Sequence, residues 1–254
     1  MGISISDLAK ILDTSSMHLG DSLALSLTEL GEQELKIPNA DLNHPLISDF
    51  LQDSPRHWPP HAKPRLDRVG LFSKDFLSRK FANVISIDLK AHCPATKRLD
   101  LAVPLAHQGF LETFDVATNF GTTEHVGQYS RRSMSPQYAA FQNIHNLIKP
   151  HGLMFHSVPF AKSRRNVQDH GAFNYDVVFF SNLSDKLNYR VVYSRFETRG
   201  NLAHVDCCLQ KINETPFLDE KFFNLLPGIF CTPHCLPDIR QSFKRDRSLI
   251  RRFF

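Results

Sequence analysis

Phe114-Asp-Val-Ala-Thr118, an apolar run, passes straight into small and polar residues, Asn119-Phe-Gly-Thr-Thr-Glu-His-Val126. A helical stretch follows, Lys149-Pro-His-Gly152 stops it, and Leu153-Met-Phe-His-Ser-Val158 begins a second apolar run. Two apolar runs of strand length on either side of an amphipathic helix make a strand, helix, strand unit. Strands joined in this way lie parallel in one sheet and need cover on both faces, which commits the chain to an α/β architecture. In such sheets ligands collect beyond the carboxyl ends of the strands, where Asn119 to Val126 fall.

The rest of the chain supplies further elements of the same kind. Ile5, Leu8, Ile11 and Leu12 recur at helical spacing behind Ser4 and Ser6, so a leading helix is expected over residues 4 to 12. Leu23 to Leu27 reads as a strand, with Thr28 to Glu34 as the turn after it. Residues 36 to 64 hold six of the chain's 15 prolines and read as a long inserted loop. Leu66, Val69, Phe72, Phe76, Leu77 and Phe81 give an amphipathic helix, and Val84-Ile-Ser-Ile-Asp-Leu89 a buried parallel strand ending on a carboxylate. A weaker strand is expected over Arg98 to Leu105. Pro136 to Ile148 and 176 to 187 read as helices, and Arg190 to Phe196 with Leu202 to Gln210 as an antiparallel hairpin.

With 254 residues and 42% of them hydrophobic, the chain can bury one large core. Thirty basic residues against 26 acidic ones leave a net charge of +4, too small to argue for nucleic acid. No basic-then-apolar leader is visible, and no apolar run approaches the roughly 20 residues that span a bilayer, so a cytoplasmic protein is expected. Five cysteines at irregular spacing read as reduced thiols. Cys231-Thr-Pro-His-Cys235 could begin a zinc site, but no second cluster completes four ligands, and a Pro-rich loop is the plainer reading. From Thr215 a basic and aromatic tail follows, with Arg240, Lys244, Arg245, Arg247, Arg251 and Arg252 among Phe243, Phe253 and Phe254. It reads as a separate extension that could touch an anionic surface or RNA, against the plainer reading of a tail lying on the domain.

Asp88, at the tip of its strand, is placed to accept hydrogen bonds from the two hydroxyls of a ribose, or simply to cap the next element. The ordered set Leu30-Gly31, Ile87-Asp88, Asp100-Leu101, Phe114-Asp115 through Glu124-His125, and Lys149-Pro-His-Gly152 resembles the class I S-adenosylmethionine-dependent methyltransferases. The string Thr118 to Val126, with His170-Gly-Ala-Phe-Asn-Tyr175, is similar to a little-described bacterial-type branch of them.

That resemblance covers roughly residues 20 to 210 and implies a Rossmann-like three-layer sandwich over 1 to 214. Its seven-stranded, mostly parallel sheet would run in the order 3-2-1-4-5-7-6, with an antiparallel terminal hairpin. It implies S-adenosylmethionine as cofactor and a small-molecule acceptor. Gly31, flanked by Glu29 and Glu32, would pass under the methionine part, Asp88 would hold the ribose, Asp100 and Leu101 would border the adenine, and Asn119 and Phe120 would face the reacting methyl group. The chain departs from the family after its first strand, where Leu30-Gly-Glu-Gln-Glu34 replaces a glycine-rich loop, and at Pro150-His-Gly152, where Pro-Gly-Gly is usual.

Methyl transfer asks mainly for alignment and exclusion of water, and for a base only where the acceptor loses a proton. Among Glu124, His125, His156 and His170 the base would be His125 or His170, although Glu-His at the head of a turn also serves simply to brace it. Two other readings stand beside this one. The first is a fold that has lost its cofactor and acts through its tail and loop. The second is a metal-dependent enzyme built on Glu124, His125 and a histidine from 156 or 170.

Overall fold

The computed structural model describes residues 2–36, 44–48, 72–90, 96–127, 135–199 and 202–235. A short strand β1 (Gly2–Ser4) leads into helix α1 (Ile5–Leu19). Ser4 caps α1 reciprocally, its hydroxyl accepting from the Asp7 amide and its own amide donating to the Asp7 carboxylate. The helix runs seven residues past the expected end because Ser15 keeps its buried side going beneath a polar stretch.

Strand β2 (Ser26–Leu30) is followed by β3 (Glu34–Lys36), helix α2 (Ser73–Leu77), β4 (Asn83–Asp88) and β5 (Lys97–Arg98). Then come β6 (Phe114–Phe120), α3 (Pro136–Leu147), β7 (Ile148–Pro159), β8 (Phe173–Tyr175), α4 (Val177–Leu187), β9 (Tyr189–Arg199), β10 (Leu202–Lys211), α5 (Glu220–Leu225) and β11 (Ile229–Cys231). Seven strands form one sheet in the order β5-β4-β2-β6-β7-β10-β9. The pairs from β5 to β7 are parallel, while β10 is antiparallel to both β7 and β9. Counted along the chain within this sheet, the order is 3-2-1-4-5-7-6 with an antiparallel terminal hairpin, the arrangement expected from the sequence.

Several boundaries differ from that expectation. The first sheet strand is Ser26–Leu30 rather than Leu23 to Leu27, since Leu23 and Ala24 sit in a single 3₁₀ turn capped by Asp21. The third strand shrinks to Lys97–Arg98, because Asp100 turns the chain by accepting from the Ala102 amide at 2.9 Å. β6 continues through Asn119 and Phe120, which therefore belong to the strand and not to the loop after it.

The two sheet faces carry different cores. Leu30, Ile87, Asn119 and His156 are register neighbours on the face covered by α3 and α4. Leu27, Val116, Phe120 and Phe155 face α1 and α2. The α3/α4 side is aromatic, with Phe141 4.9 Å from Phe179 and 5.9 Å from both Tyr175 and Phe223 in ring-centroid distance. Phe223 comes from α5, so the chain past Thr215 shares this core up to Cys235, and β11 pairs antiparallel with β8. Most of the inserted loop and all of the tail beyond Cys235, with its basic residues, lie outside the described residues. Among the described residues no helix is long and apolar enough to cross a membrane.

Candidate functional site

The carboxyl ends of β2 and β4 bring two of the expected cofactor residues, Gly31 and Asp88, to one edge. Gly31 follows β2 directly, adopts φ 77° and donates its N–H to the Ile87 carbonyl at 2.8 Å. A side chain there would be blocked, since a Cβ would stand 2.2 Å from Thr122 Oγ1. Thr122 reaches back across the edge and donates to the Leu30 carbonyl at 2.5 Å. Asp88, half-buried at the tip of β4, accepts from the Glu32 amide at 2.8 Å through one oxygen and from the Lys90 amide at 2.6 Å through the other. Each carboxylate oxygen keeps a lone pair beyond these bonds.

Glu29 turns to the opposite side of β2 from Leu30 and is fully buried, accepting from the hydroxyls of Ser73 and Ser86. Burial pushes its pKa up to about 7, against the pull of those two hydroxyls. Glu32 accepts from Lys74 Nζ at 2.8 Å and from Thr96 Oγ1 at 2.6 Å, a buried ion pair that ties α2 to the turn after β2. Asp100 is half-buried at its turn, and Leu101 packs in the core with its carbonyl accepting from Asn143. Phe120 is buried against the α1 side.

Asn119 is buried and turned inward. Its amide nitrogen donates to Thr123 Oγ1 at 2.9 Å and meets His156 Nδ1 at 3.1 Å, while its oxygen accepts from the Thr123 amide. It braces the 3₁₀ turn Thr123–His125 from below. Gln137 braces the turn from the side, donating to the carbonyls of Thr123 and Val126 while Tyr175 donates to its oxygen at 2.6 Å. His156 stacks near Phe141 and Phe180, and burial pushes its pKa down to about 3.

On that braced turn Glu124 is completely buried, and His170 arrives from the segment before β8. Gly171, at φ 70°, presses so closely that a Cβ would meet Glu124 Cγ at 2.7 Å. The Ala172 amide donates to the Glu124 carbonyl at 2.7 Å, and Thr232 Oγ1 donates to the Gly171 carbonyl at 2.7 Å. Glu124 Oε1 then lies 3.8 Å from His170 Nε2 and 3.9 Å from His125 Nε2, too far for hydrogen bonds. Burial pushes the Glu124 carboxyl up to about 8, and burial together with His125 holds the His170 imidazole below its ordinary range.

The structure thus brings together Glu124, His125 and His170 in one cluster, and Gly31, Asp88 and Thr122 in another two residues away along the turn. Glu29, Leu101, Asn119 and Phe120 are buried behind these groups. Thr122 and Gln137 were not foreseen. A threonine that covers a glycine on a different strand leaves no periodic trace in the sequence.

No family model matches the chain, and no curated protein sequence does. Among solved structures, 1,6-didemethyltoxoflavin-N1-methyltransferase of Burkholderia thailandensis, bound to 1,6-didemethyltoxoflavin and S-adenosylhomocysteine, is 13% identical. That likeness covers 80% of this chain and 77% of that one at a TM-score of 0.47. The N-methyltransferase NodS of Bradyrhizobium japonicum, bound to S-adenosylhomocysteine, is 11% identical over 83% of this chain and 89% of that one, at a TM-score of 0.42. Likenesses of this degree leave activity and ligand to be argued from the chain's own residues.

Proposed function

We propose that the chain is an S-adenosylmethionine-dependent methyltransferase acting on an oxygen or nitrogen of a small or medium acceptor. The observation that supports this best is the tie between Asp88 and the turn after β2. In a sheet of this order, the carboxylate at the tip of β4 is oriented by the Glu32 amide beside Gly31, the residue of that turn that carries no Cβ. Bound S-adenosylmethionine supplies a methyl group already activated on its sulfonium. Asp88 accepts the ribose hydroxyls with its remaining lone pairs. Asn119 acts as a positioning residue, since its amide holds the turn that carries Glu124 and His125. His125, the more exposed imidazole at the rim, takes a proton from an acceptor that must lose one.

A second reading has its own observation. Thr122 Oγ1 already fills the space over Gly31, and Glu32 is bound to Lys74 and Thr96, as expected for a fold that has given up its cofactor and serves as an interaction protein. Calorimetry of Asp88→Ala against wild type separates the two. Loss of a charged hydrogen-bond acceptor is expected to weaken S-adenosylhomocysteine by about 1–3 kcal/mol, roughly 5- to 150-fold. Equal affinity of the two proteins would remove Asp88 from the site.

A further inference from the structure

We infer that Glu124, His125 and His170 form a binding site for a divalent first-row transition-metal ion. One ligand atom from each of the three lies within 4.8 Å of the others, and they are the cluster of that kind among the described residues. Two imidazoles and one carboxylate are a donor set that suits zinc, iron or manganese. In a tetrahedral zinc site, with metal–ligand distances of about 2.1 Å, neighbouring ligand atoms stand roughly 3.4 Å apart. Glu124 Oε1 lies 3.8 and 3.9 Å from the two Nε2 atoms, so a shift of about half an ångström closes the carboxylate–imidazole distances, and the two histidine ligand atoms, within 4.8 Å of each other, have at most about 1.4 Å to close between them.

The burial pattern points to a missing partner. Glu124 has no solvent exposure, yet neither oxygen accepts a hydrogen bond from another residue, and His170 Nε2 is likewise without a hydrogen-bond partner. A carboxylate desolvated and left unbonded costs several kcal/mol, and a protein interior normally avoids it. An ion placed between Glu124 Oε1 and His170 Nε2, with His125 Nε2 beside them, satisfies both of these buried atoms at once.

The frame around them is built to hold this shape. Asn119 and Gln137 brace the turn that carries Glu124 and His125, and the Gly171 and Ala172 backbone clamps His170 against it. Outer supports of this kind hold first ligands in position. His156 is not a ligand here, because Asn119 covers its Nδ1 and its ring lies among Phe141 and Phe180.

With the carboxylate as floor and two imidazoles, 41% and 33% exposed, as rim, an ion held by these three ligands would keep a further position for water or an oxygen ligand. The ion rests on the three side chains alone. Only its use rests on the methyl-transfer reading: the ion would hold an acceptor oxygen beside the cofactor edge and ease its loss of a proton, in place of proton removal by His125.

The full-length chain, stripped with a chelator, exchanged into clean buffer and titrated with Zn²⁺ and then Mn²⁺, provides the test. About one equivalent of ion per chain is expected, with affinity reduced at least about tenfold in Glu124→Gln, His125→Ala and His170→Ala. Should the buried Glu124→Gln variant fail to fold, the exposed His125→Ala carries the comparison. An ion content near zero, or wild-type affinity in His125→Ala and His170→Ala, overturns the site. So does an ion lost on Cys235→Ser and retained by the three variants, which would assign it to Cys231-Thr-Pro-His-Cys235. S-adenosylhomocysteine titrated in the presence of chelator reads the cofactor edge alone, so either claim can fail without the other.

Discussion

Buried titratable side chains give this protein opposing responses to pH. Glu29 has a carboxyl raised to about 7 by burial, so the native state holds its proton more tightly than the unfolded chain does. Its stabilising contribution is present at low pH and is lost as pH rises from about 4.5 through 7, by about 3 kcal/mol in all. Glu29→Gln, which cannot ionise, should therefore gain on wild type by that amount between about pH 4 and pH 8 in urea denaturation. A gap that does not change with pH would mean Glu29 is ionised in the fold. His156 runs the other way. Its imidazole is held down to about 3, the unfolded chain takes up the proton first, and stability is lost as pH falls below 6.5. That loss is about 2 kcal/mol by pH 5, and His156→Gln should escape it.

At the same scale, Thr122 bears on the proposed cofactor edge. Its hydroxyl fills the space where a Gly31 Cβ would lie, so Thr122→Ala should tighten S-adenosylhomocysteine severalfold if that space is needed for the ligand. Weaker binding by calorimetry would show instead that the bond from Thr122 to the Leu30 carbonyl keeps the edge in shape. Neither Thr122 nor the burial of Glu29 was legible in the sequence. Glu29 sits among Thr28-Glu-Leu-Gly, which looks like a turn, and its polar partners Ser73 and Ser86 come from elements 44 and 57 residues away. The sequence offers Glu124 and His125 with a histidine from 156 or 170, and which of the two histidines joins them is hidden for the same reason.

At the scale of elements, local signals were sufficient wherever one interaction type dominated. β4 was plain because Val84-Ile-Ser-Ile is continuous and β-branched, and α3 because Ser135 caps it and Pro136 opens it. β2 was shifted because a 3₁₀ turn absorbed Leu23, and β5 was overdrawn because Asp100 turns the chain two residues after Arg98. The junction of β11 with α4 depends on Gly228, at φ 98°, where a Cβ would stand 2.8 Å from the Phe179 amide nitrogen. Gly228→Ala should cost about 1–3 kcal/mol of stability. A melting temperature unchanged from wild type would mean that the loop relaxes freely.

For the whole molecule, the strand order followed from the alternation of strands and helices. The role of residues 215–235 did not, because Phe217 and Phe223 stand in a stretch with no clear period and many prolines. Their rings instead close the aromatic core over Tyr138 and Phe141. Phe223→Ala should therefore destabilise the whole domain by about 3–5 kcal/mol, with a single cooperative transition in both proteins. Separate unfolding of this segment would show it to be an appendage.

The most direct test of the account is calorimetric titration of the full-length chain with S-adenosylmethionine and S-adenosylhomocysteine. Saturable binding of both near one equivalent per chain is expected if Gly31 and Asp88 form a cofactor edge. Heats of dilution alone for both ligands, at high micromolar concentration, would contradict it and leave the interaction-protein reading in its place.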